Sequence, residues 1–291
     1  MRKIRVAIIG AGPAGISCAI QLKRYKIDFL LFEKNESGGL LRNANWVENY
    51  PGFPEGTTGA KLVDIFIRQM VFNHIRPVKE EVKFVEHKNN DFIIKTDKNR
   101  YHAWILVIAS GTKPKELPIF IPERCRLRIF YEIVDLKNLR NKKIAIIGSG
   151  DGAFDYALNL GKKNKVFILN RKNRVKCLPL LFERCKENEN IKYYPLFDVC
   201  KIDYKDKNLL VWSKSGEKMS FDYLIIAIGR EPNLDFLSDD IRKKQKSLEK
   251  DKILYIIGDA KNGIYRQTAI AVGDGIKAGM EIGVRYYEGN W

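Results

Sequence analysis

Two stretches of this chain join an apolar run, a glycine turn and the start of a helix, the arrangement that cradles the pyrophosphate of a dinucleotide. The first is Val6-Ala7-Ile8-Ile9-Gly10-Ala11-Gly12-Pro13-Ala14-Gly15. Gly10 permits the tight turn, Gly12 lets the backbone approach the pyrophosphate, and Gly15 lets the helix pack closely on the strand. Pro13 and Ala14 open the helix, whose first N–H groups then point at phosphate. Glu33 follows the next strand-length run, Phe29 to Phe32, where a carboxylate can accept both hydroxyls of an adenosine ribose.

The second stretch is Ile144-Ala145-Ile146-Ile147-Gly148-Ser149-Gly150-Asp151-Gly152-Ala153. Here the following run, Val166 to Leu169, ends in Asn170-Arg171-Lys172-Asn173-Arg174, with no acid in the place of Glu33. Arg171 and Lys172 can pair with a ribose 2′-phosphate that a carboxylate would repel, so NADPH is expected ahead of NADH. A basic surface turn in a lysine-rich chain is the competing reading. Near the carboxy terminus, Ile256-Ile257-Gly258-Asp259-Ala260 puts an aspartate after a strand and a glycine, placed to bond the ribityl chain of a flavin. Small residues follow in the next helix (Ala269, Ala271, Gly273, Gly275, Ala278, Gly279) and permit close approach. Together with the first fingerprint this assigns FAD to the outer segments and the nicotinamide dinucleotide to the inner one. Gly39, Gly111 and Gly229 complete the candidate cofactor-binding glycines.

These motifs need α/β elements to hold them. Apolar β-branched runs at Val6 to Ile9, Phe29 to Phe32 and Ile105 to Ala109 alternate with helix-length segments at Pro13 to Tyr25 and Gly59 to Phe72, which implies a buried parallel sheet. A hairpin is expected around Lys88-Asn89-Asn90-Asp91. Prolines at 114, 118 and 122 mark a boundary, and a second strand–turn–helix unit begins at Ile144. The expectation is two Rossmann-like domains, the second inserted in the first: an FAD domain over 1–114 and 241–291, and an NAD(P)H domain over 115–240. The basic stretch Ile241 to Lys252 reads as a solvated linker, and a last helix is expected from Thr268 to Tyr287.

The five cysteines show no Cys-x-x-Cys spacing, and their odd number argues against a closed disulfide framework. A reducing, cytoplasmic setting is expected. No metal site is expected from three histidines that share no short motif with a cysteine. The segment Met1 to Arg5 leads into a strand rather than a cleavable apolar helix, so no export signal is expected, and apolar runs such as Ile105 to Ala109 and Leu224 to Ile228 are too short for a membrane span. A net charge of +17 would suit nucleic acid, but the lysines are spread along the whole chain; an acidic protein or anionic cofactor is the better use of the charge.

Four stretches together resemble the thioredoxin reductase family of two-dinucleotide-domain flavoproteins, across nearly the whole chain. They are Gly10 to Gly15; Val47-Glu48-Asn49-Tyr50-Pro51-Gly52-Phe53-Pro54; Gly148 to Ala153 with Arg171 and Lys172; and Gly258-Asp259 with Ile264-Tyr265-Arg266-Gln267. The resemblance implies Asn49 and Gln267 near the flavin, Asp259 on its ribityl chain, and a homodimer. Two departures stand out. Gly38-Gly39-Leu40 lacks the glutamine usual after the glycine pair, and the place of the family's redox-active Cys-x-x-Cys-Asp is taken by Tyr131-Glu132-Ile133-Val134-Asp135.

Without that dithiol, no residue is assigned a catalytic role. The leading expectation is hydride transfer from NADPH to FAD and electron delivery to an acidic ferredoxin or flavodoxin, which a basic surface would steer. The alternatives are a disulfide reductase acting without its own dithiol, an NAD(P)H oxidase or quinone-type reductase, and a non-catalytic flavin-binding redox sensor.

Overall fold

The computed structural model describes residues 2–289; Met1, Asn290 and Trp291, at the ends of the expected first and last segments, lie outside the described residues. The chain begins with β1 (Arg2–Ile9), α1 (Pro13–Arg24), β2 (Phe29–Phe32), α2 (Gly59–Phe72), β3 (Val82–Lys88), β4 (Asp91–Thr96) and β5 (Arg100–Ile108). β1 is bonded in parallel to β2 on one edge and β5 on the other. Val6, Ala7 and Ile8 are fully buried, which is why the run is apolar throughout instead of alternating. Pro13 opens α1 where a missing N–H is harmless, and Lys23 and Arg24 close it at the negative end of the helix dipole. Thr58 caps α2, its hydroxyl accepting the Lys61 N–H at 3.2 Å. β3 and β4 form the expected hairpin, with Asn89 and Asn90 at φ of 50° and 63°, the conformation a two-residue turn requires.

β6 (Thr112–Pro114) leads into a second unit of β7 (Ile129–Phe130), β8 (Lys143–Ile147), α3 (Asp151–Leu160), β9 (Lys165–Leu169), α4 (Pro179–Glu187) and β10 (Ile191–Tyr194). Then come β11 (Val199–Lys205), β12 (Asn208–Ser213), β13 (Lys218–Phe221), β14 (Tyr223–Ile226) and β15 (Arg230–Pro232). The main sheet runs β10-β9-β8-β14-β7 and is parallel throughout. Along β8, Ile144 and Ile146 face one core with Phe154 and Ala157, whereas Ala145 and Ile147 face another with Phe197 and Phe221. Both faces are covered, one by helices and one by the antiparallel meander β11-β12-β13; the meander was not foreseen.

The chain ends with α5 (Asp239–Lys250), β16 (Leu254–Ile256) and α6 (Thr268–Tyr287). β16 pairs in parallel with the end of β5, extending the first sheet, while β4 pairs with its beginning. α5 corrects the expectation of a solvated linker. Ser238 accepts the Ile241 N–H at 3.3 Å, Asp239 and Asp240 occupy the first turn, and Ile241 and Leu248 are buried. Those two apolar residues lie two turns apart on one face.

By contacts the chain divides into one unit of residues up to Arg42, Val47–Lys113 and Glu231 onward, and a second of Asn43–Trp46 and Pro114–Arg230. The return to the first unit, expected after residue 240, comes at Glu231 because Leu234, Phe236 and Leu237 pack into the first unit's core. No helix among the described residues is long and apolar enough to cross a membrane.

Candidate functional site

The two glycine turns are built alike. Gly10 N–H donates to the Phe32 carbonyl at 2.8 Å, and Gly148 N–H to the Leu169 carbonyl at 3.0 Å. Gly10 has φ +104° and Gly148 φ +155°, and a Cβ on either would lie 2.4 Å from a carbonyl oxygen, of Ala109 or Ala227 respectively. Only glycine fits there. At Gly12 and Gly150 a Cβ would meet nothing within 4 Å. Their backbones face open space, which is what close approach of a pyrophosphate needs, and α1 and α3 begin directly after them.

In the first unit Glu33 stands at the end of β2. Its carboxylate accepts the Ala11 N–H at 2.8 Å and the Asn35 N–H at 2.9 Å, which fixes its orientation beside the turn. Glu33, Gly10, Phe32, Ser110 and Asn233 share the lining of a cleft of about 290 Å³. Ser110 is anchored by donating to the Asn233 carbonyl at 2.6 Å, and Gly111 accepts the Asn233 N–H at 3.0 Å. Gly39 lies against the turn, its missing Cβ 3.4 Å from Gly12 Cα.

Asp259 sits in a short 3-10 turn, Gly258–Ala260, just ahead of α6. Sequence reasoning missed what holds this turn. The Asp274 carboxylate on α6 accepts both the Gly258 N–H at 3.0 Å and the Asn262 amide at 2.6 Å. The available signal was a single acid in the small-residue stretch Ala271-Val272-Gly273-Asp274-Gly275. α6 packs on α1 through Gly275 and Gly279; a Cβ on Gly275 would lie 2.2 Å from the Ala14 carbonyl oxygen. Gly273 does not share this contact and instead lines a groove on the outer side of α6. Asn49 and Gln267, far apart in sequence, meet by an amide–amide hydrogen bond of 2.9 Å.

In the second unit Arg171 and Lys172 are exposed on the turn after β9. The loop that follows is tied to the fingerprint: Lys176 N–H donates to the Ser149 carbonyl and Leu178 N–H to the Asp151 carboxylate, both at 2.8 Å. Asp151, Gly152 and Ala153 form the first turn of α3. Gly229, at φ +119°, follows β14 as Gly111 follows β5.

The segment Tyr131 to Asp135 is held by hydrogen bonds within the second unit. Ile133 is fully buried, and the Glu132 carboxylate accepts from Arg230 at 3.2 Å and from the Asn43 amide at 3.3 Å. Asn43 Oδ1 accepts the N–H groups of Ile133 and Val134 at 3.0 and 3.1 Å. Asp135 is exposed in a 3-10 turn. Asp155 on α3 was not anticipated. It accepts the Asn45 N–H at 2.9 Å, and desolvation pushes its carboxyl up to about 6. All five cysteines are free thiols. Burial raises Cys18 and Cys185 to about 12, Cys177 to about 11, and Cys125 also upward.

The model of the pyridine nucleotide-disulphide oxidoreductase family matches residues 4–282. The chain belongs to this family. Its relatives include a thioredoxin reductase of Borreliella burgdorferi, 26% identical over 96% of this chain and 90% of that protein. Another, from Chlamydia pneumoniae, is 27% identical over 95% of this chain and 97% of the relative. Among solved structures, the thioredoxin reductase of Lactococcus lactis superposes with a TM-score of 0.85 at 26% identity, covering 96% of this chain and 97% of that one. This family member is therefore a thioredoxin reductase-like, FAD-dependent oxidoreductase with FAD and NADPH as cofactors. The open faces at Gly12 and Gly150, the oriented Glu33 and the cationic turn fit those two groups.

Proposed function

We propose that the chain is an NADPH-dependent disulfide reductase that works without a dithiol of its own. The first unit would hold FAD through Gly10 to Gly15, Glu33, Gly39, Gly111, Asn49, Gln267 and Gly258-Asp259. The second would hold NADPH through Gly148, Gly150 to Ala153 and Gly229, with Arg171 and Lys172 on the 2′-phosphate. Bound together, the cofactors supply hydride transfer from nicotinamide to flavin and a pair of electrons for an external disulfide: NADPH, one proton and RSSR give NADP⁺ and two RSH. The chain's own groups bind and orient. Helix termini receive the phosphates, Glu33 the adenosine hydroxyls, and the Asn49–Gln267 pair offers amide donors and acceptors at the start of α6.

The observation that carries this reading is the cysteine-free, hydrogen-bonded segment Glu132 to Val134 in a chain of this family. Where the resemblance puts the family's relay dithiol stand a buried isoleucine and a bridged glutamate, so on this reading the acceptor supplies both sulfurs. The relatives are thioredoxin reductases, which moves the weight from a ferredoxin or flavodoxin acceptor to the disulfide of a small thioredoxin-like protein or a low-molecular-weight disulfide. A second reading, delivery to an acidic ferredoxin or flavodoxin, keeps one specific support, the net charge of +17. The homodimer rests on resemblance alone. The deciding experiment is anaerobic NADPH oxidation by the flavin-loaded protein, offered in turn an oxidised thioredoxin, small disulfides, a ferredoxin and a flavodoxin. Turnover with a disulfide and not with the single-electron carriers is expected; the reverse pattern overturns the proposal.

A further inference from the structure

Asn170 stands where Glu33 stands in the first unit, after the strand whose last carbonyl accepts the turn glycine's N–H. Both side chains accept the N–H two residues on: Asn35 to Glu33 at 2.9 Å, Lys172 to Asn170 Oδ1 at 3.1 Å. There the likeness ends. Asn170 is 3% exposed, and its amide donates twice, to the Arg174 carbonyl at 3.1 Å and to the Tyr193 hydroxyl at 2.8 Å. Its main chain is held as well, N–H to the Tyr194 carbonyl and carbonyl from Phe197 N–H, each at 2.9 Å.

A carboxylate at 170 could accept from Lys172 N–H and from the Tyr193 hydroxyl but could not donate to the Arg174 carbonyl, and its charge would oppose a phosphate. An amide meets all three demands. The exposed turn Arg171 to Arg174 is thereby pinned at both ends by one buried side chain, at Lys172 N–H and at the Arg174 carbonyl. Without those bonds an exposed four-residue turn would have to be ordered when the phosphate arrives, and that ordering subtracts from affinity.

We infer that Asn170 is a positioning residue for NADPH selectivity, holding the Arg171–Arg174 turn in the form that receives a 2′-phosphate. This rests on the reading that Arg171 and Lys172 bind that phosphate. NADH lacks the group and gains nothing from the turn, so Asn170 acts on the difference between the two nucleotides and not on hydride transfer.

The test uses flavin-loaded wild-type protein, Asn170→Ala, and Tyr193→Phe as a milder variant that removes one acceptor of the Asn170 amide together with the hydroxyl's own 3.5 Å bond to the Asn173 carbonyl. Calorimetric binding of 2′-AMP and 5′-AMP is measured beside KM and kcat for NADPH and NADH with ferricyanide as acceptor. For Asn170→Ala the expected result is 2′-AMP affinity and NADPH KM each worse by about tenfold, with kcat and the 5′-AMP and NADH values within about twofold. Tyr193→Phe should shift the same two quantities by about two- to threefold, in the same direction. Equal losses for both nucleotides, or unchanged 2′-AMP binding in both variants, overturn the inference while leaving the phosphate reading intact. Wild-type protein that binds 2′-AMP no better than 5′-AMP overturns the phosphate reading itself, and the inference with it.

Discussion

Gly10 and Gly12 look equivalent in the sequence, yet the structure separates them by what a side chain would strike. A Cβ on Gly10 meets the Ala109 carbonyl oxygen at 2.4 Å from a backbone at φ +104°, whereas a Cβ on Gly12 meets nothing within 4 Å. Gly10→Ala should therefore destabilise the apoprotein by about 3 kcal/mol or more. Gly12→Val should leave apoprotein stability within about 1 kcal/mol yet abolish the visible flavin absorbance. Thermal melts of apoprotein beside flavin stoichiometry check both, and a Gly12→Val protein that stays yellow would remove the pyrophosphate role. Asp155 supports a second prediction. Its folded carboxyl is raised to about 6 from an ordinary 3.8 by desolvation, so between about pH 4 and 6 the folded state holds more protons than the unfolded one. Stability from this group is present at the acid end and is lost as pH rises through that window. Asp155→Asn keeps an oxygen for the Asn45 N–H, and should flatten this part of the pH profile and gain about 1–2 kcal/mol at pH 7. Parallel urea-derived profiles for wild type and variant would contradict it.

At the scale of elements, legibility followed hydrophobic pattern. α2 and α6 have the boundaries their sequences suggest, and β1, β5 and β8 were visible because burial on both faces leaves an unbroken apolar run. α5 was misread because lysines and acids fill most of its length and only Ile241 and Leu248 are buried; pattern sums lose a stripe two residues wide. The meander was missed for a related reason. Its strands alternate, as in Asn208–Ser213 with Leu209, Val211 and Ser213 inward, and their short charged turns blend into the surrounding lysines. In the site, the fingerprints were legible because glycine geometry is local. Asp274 and Asn43 were not, since each acts on a backbone distant in sequence. Leu248→Ala separates a packed helix from a solvated linker: about 2–4 kcal/mol should be lost in chemical denaturation, against almost nothing for a linker. Ser238→Ala should cost about 1 kcal/mol through its lost cap.

For the whole molecule the question is how many electrons it stores and where. A reductase with a relay dithiol takes up two reducing equivalents beyond its flavin; no two cysteines of this sequence stand at Cys-x-x-Cys spacing to hold them. The segment Glu132 to Val134 is cysteine-free and held by Asn43 and Arg230, and burial raises the thiols of Cys18, Cys125, Cys177 and Cys185, which disfavours the thiolate that exchange chemistry needs. Anaerobic titration should therefore end at one NADPH per FAD. Replacing all five cysteines with serine should leave flavin reduction and disulfide turnover within about threefold when rates are expressed per bound flavin, although the buried hydroxyls will lower stability by about 1–3 kcal/mol each where they find no partner. Thermal melts run beside the kinetics keep the two effects apart. A serine variant that binds FAD and accepts hydride normally but no longer reduces the external disulfide would reveal a cysteine relay and overturn the direct route, whereas retained turnover places both sulfurs of the exchange on the acceptor.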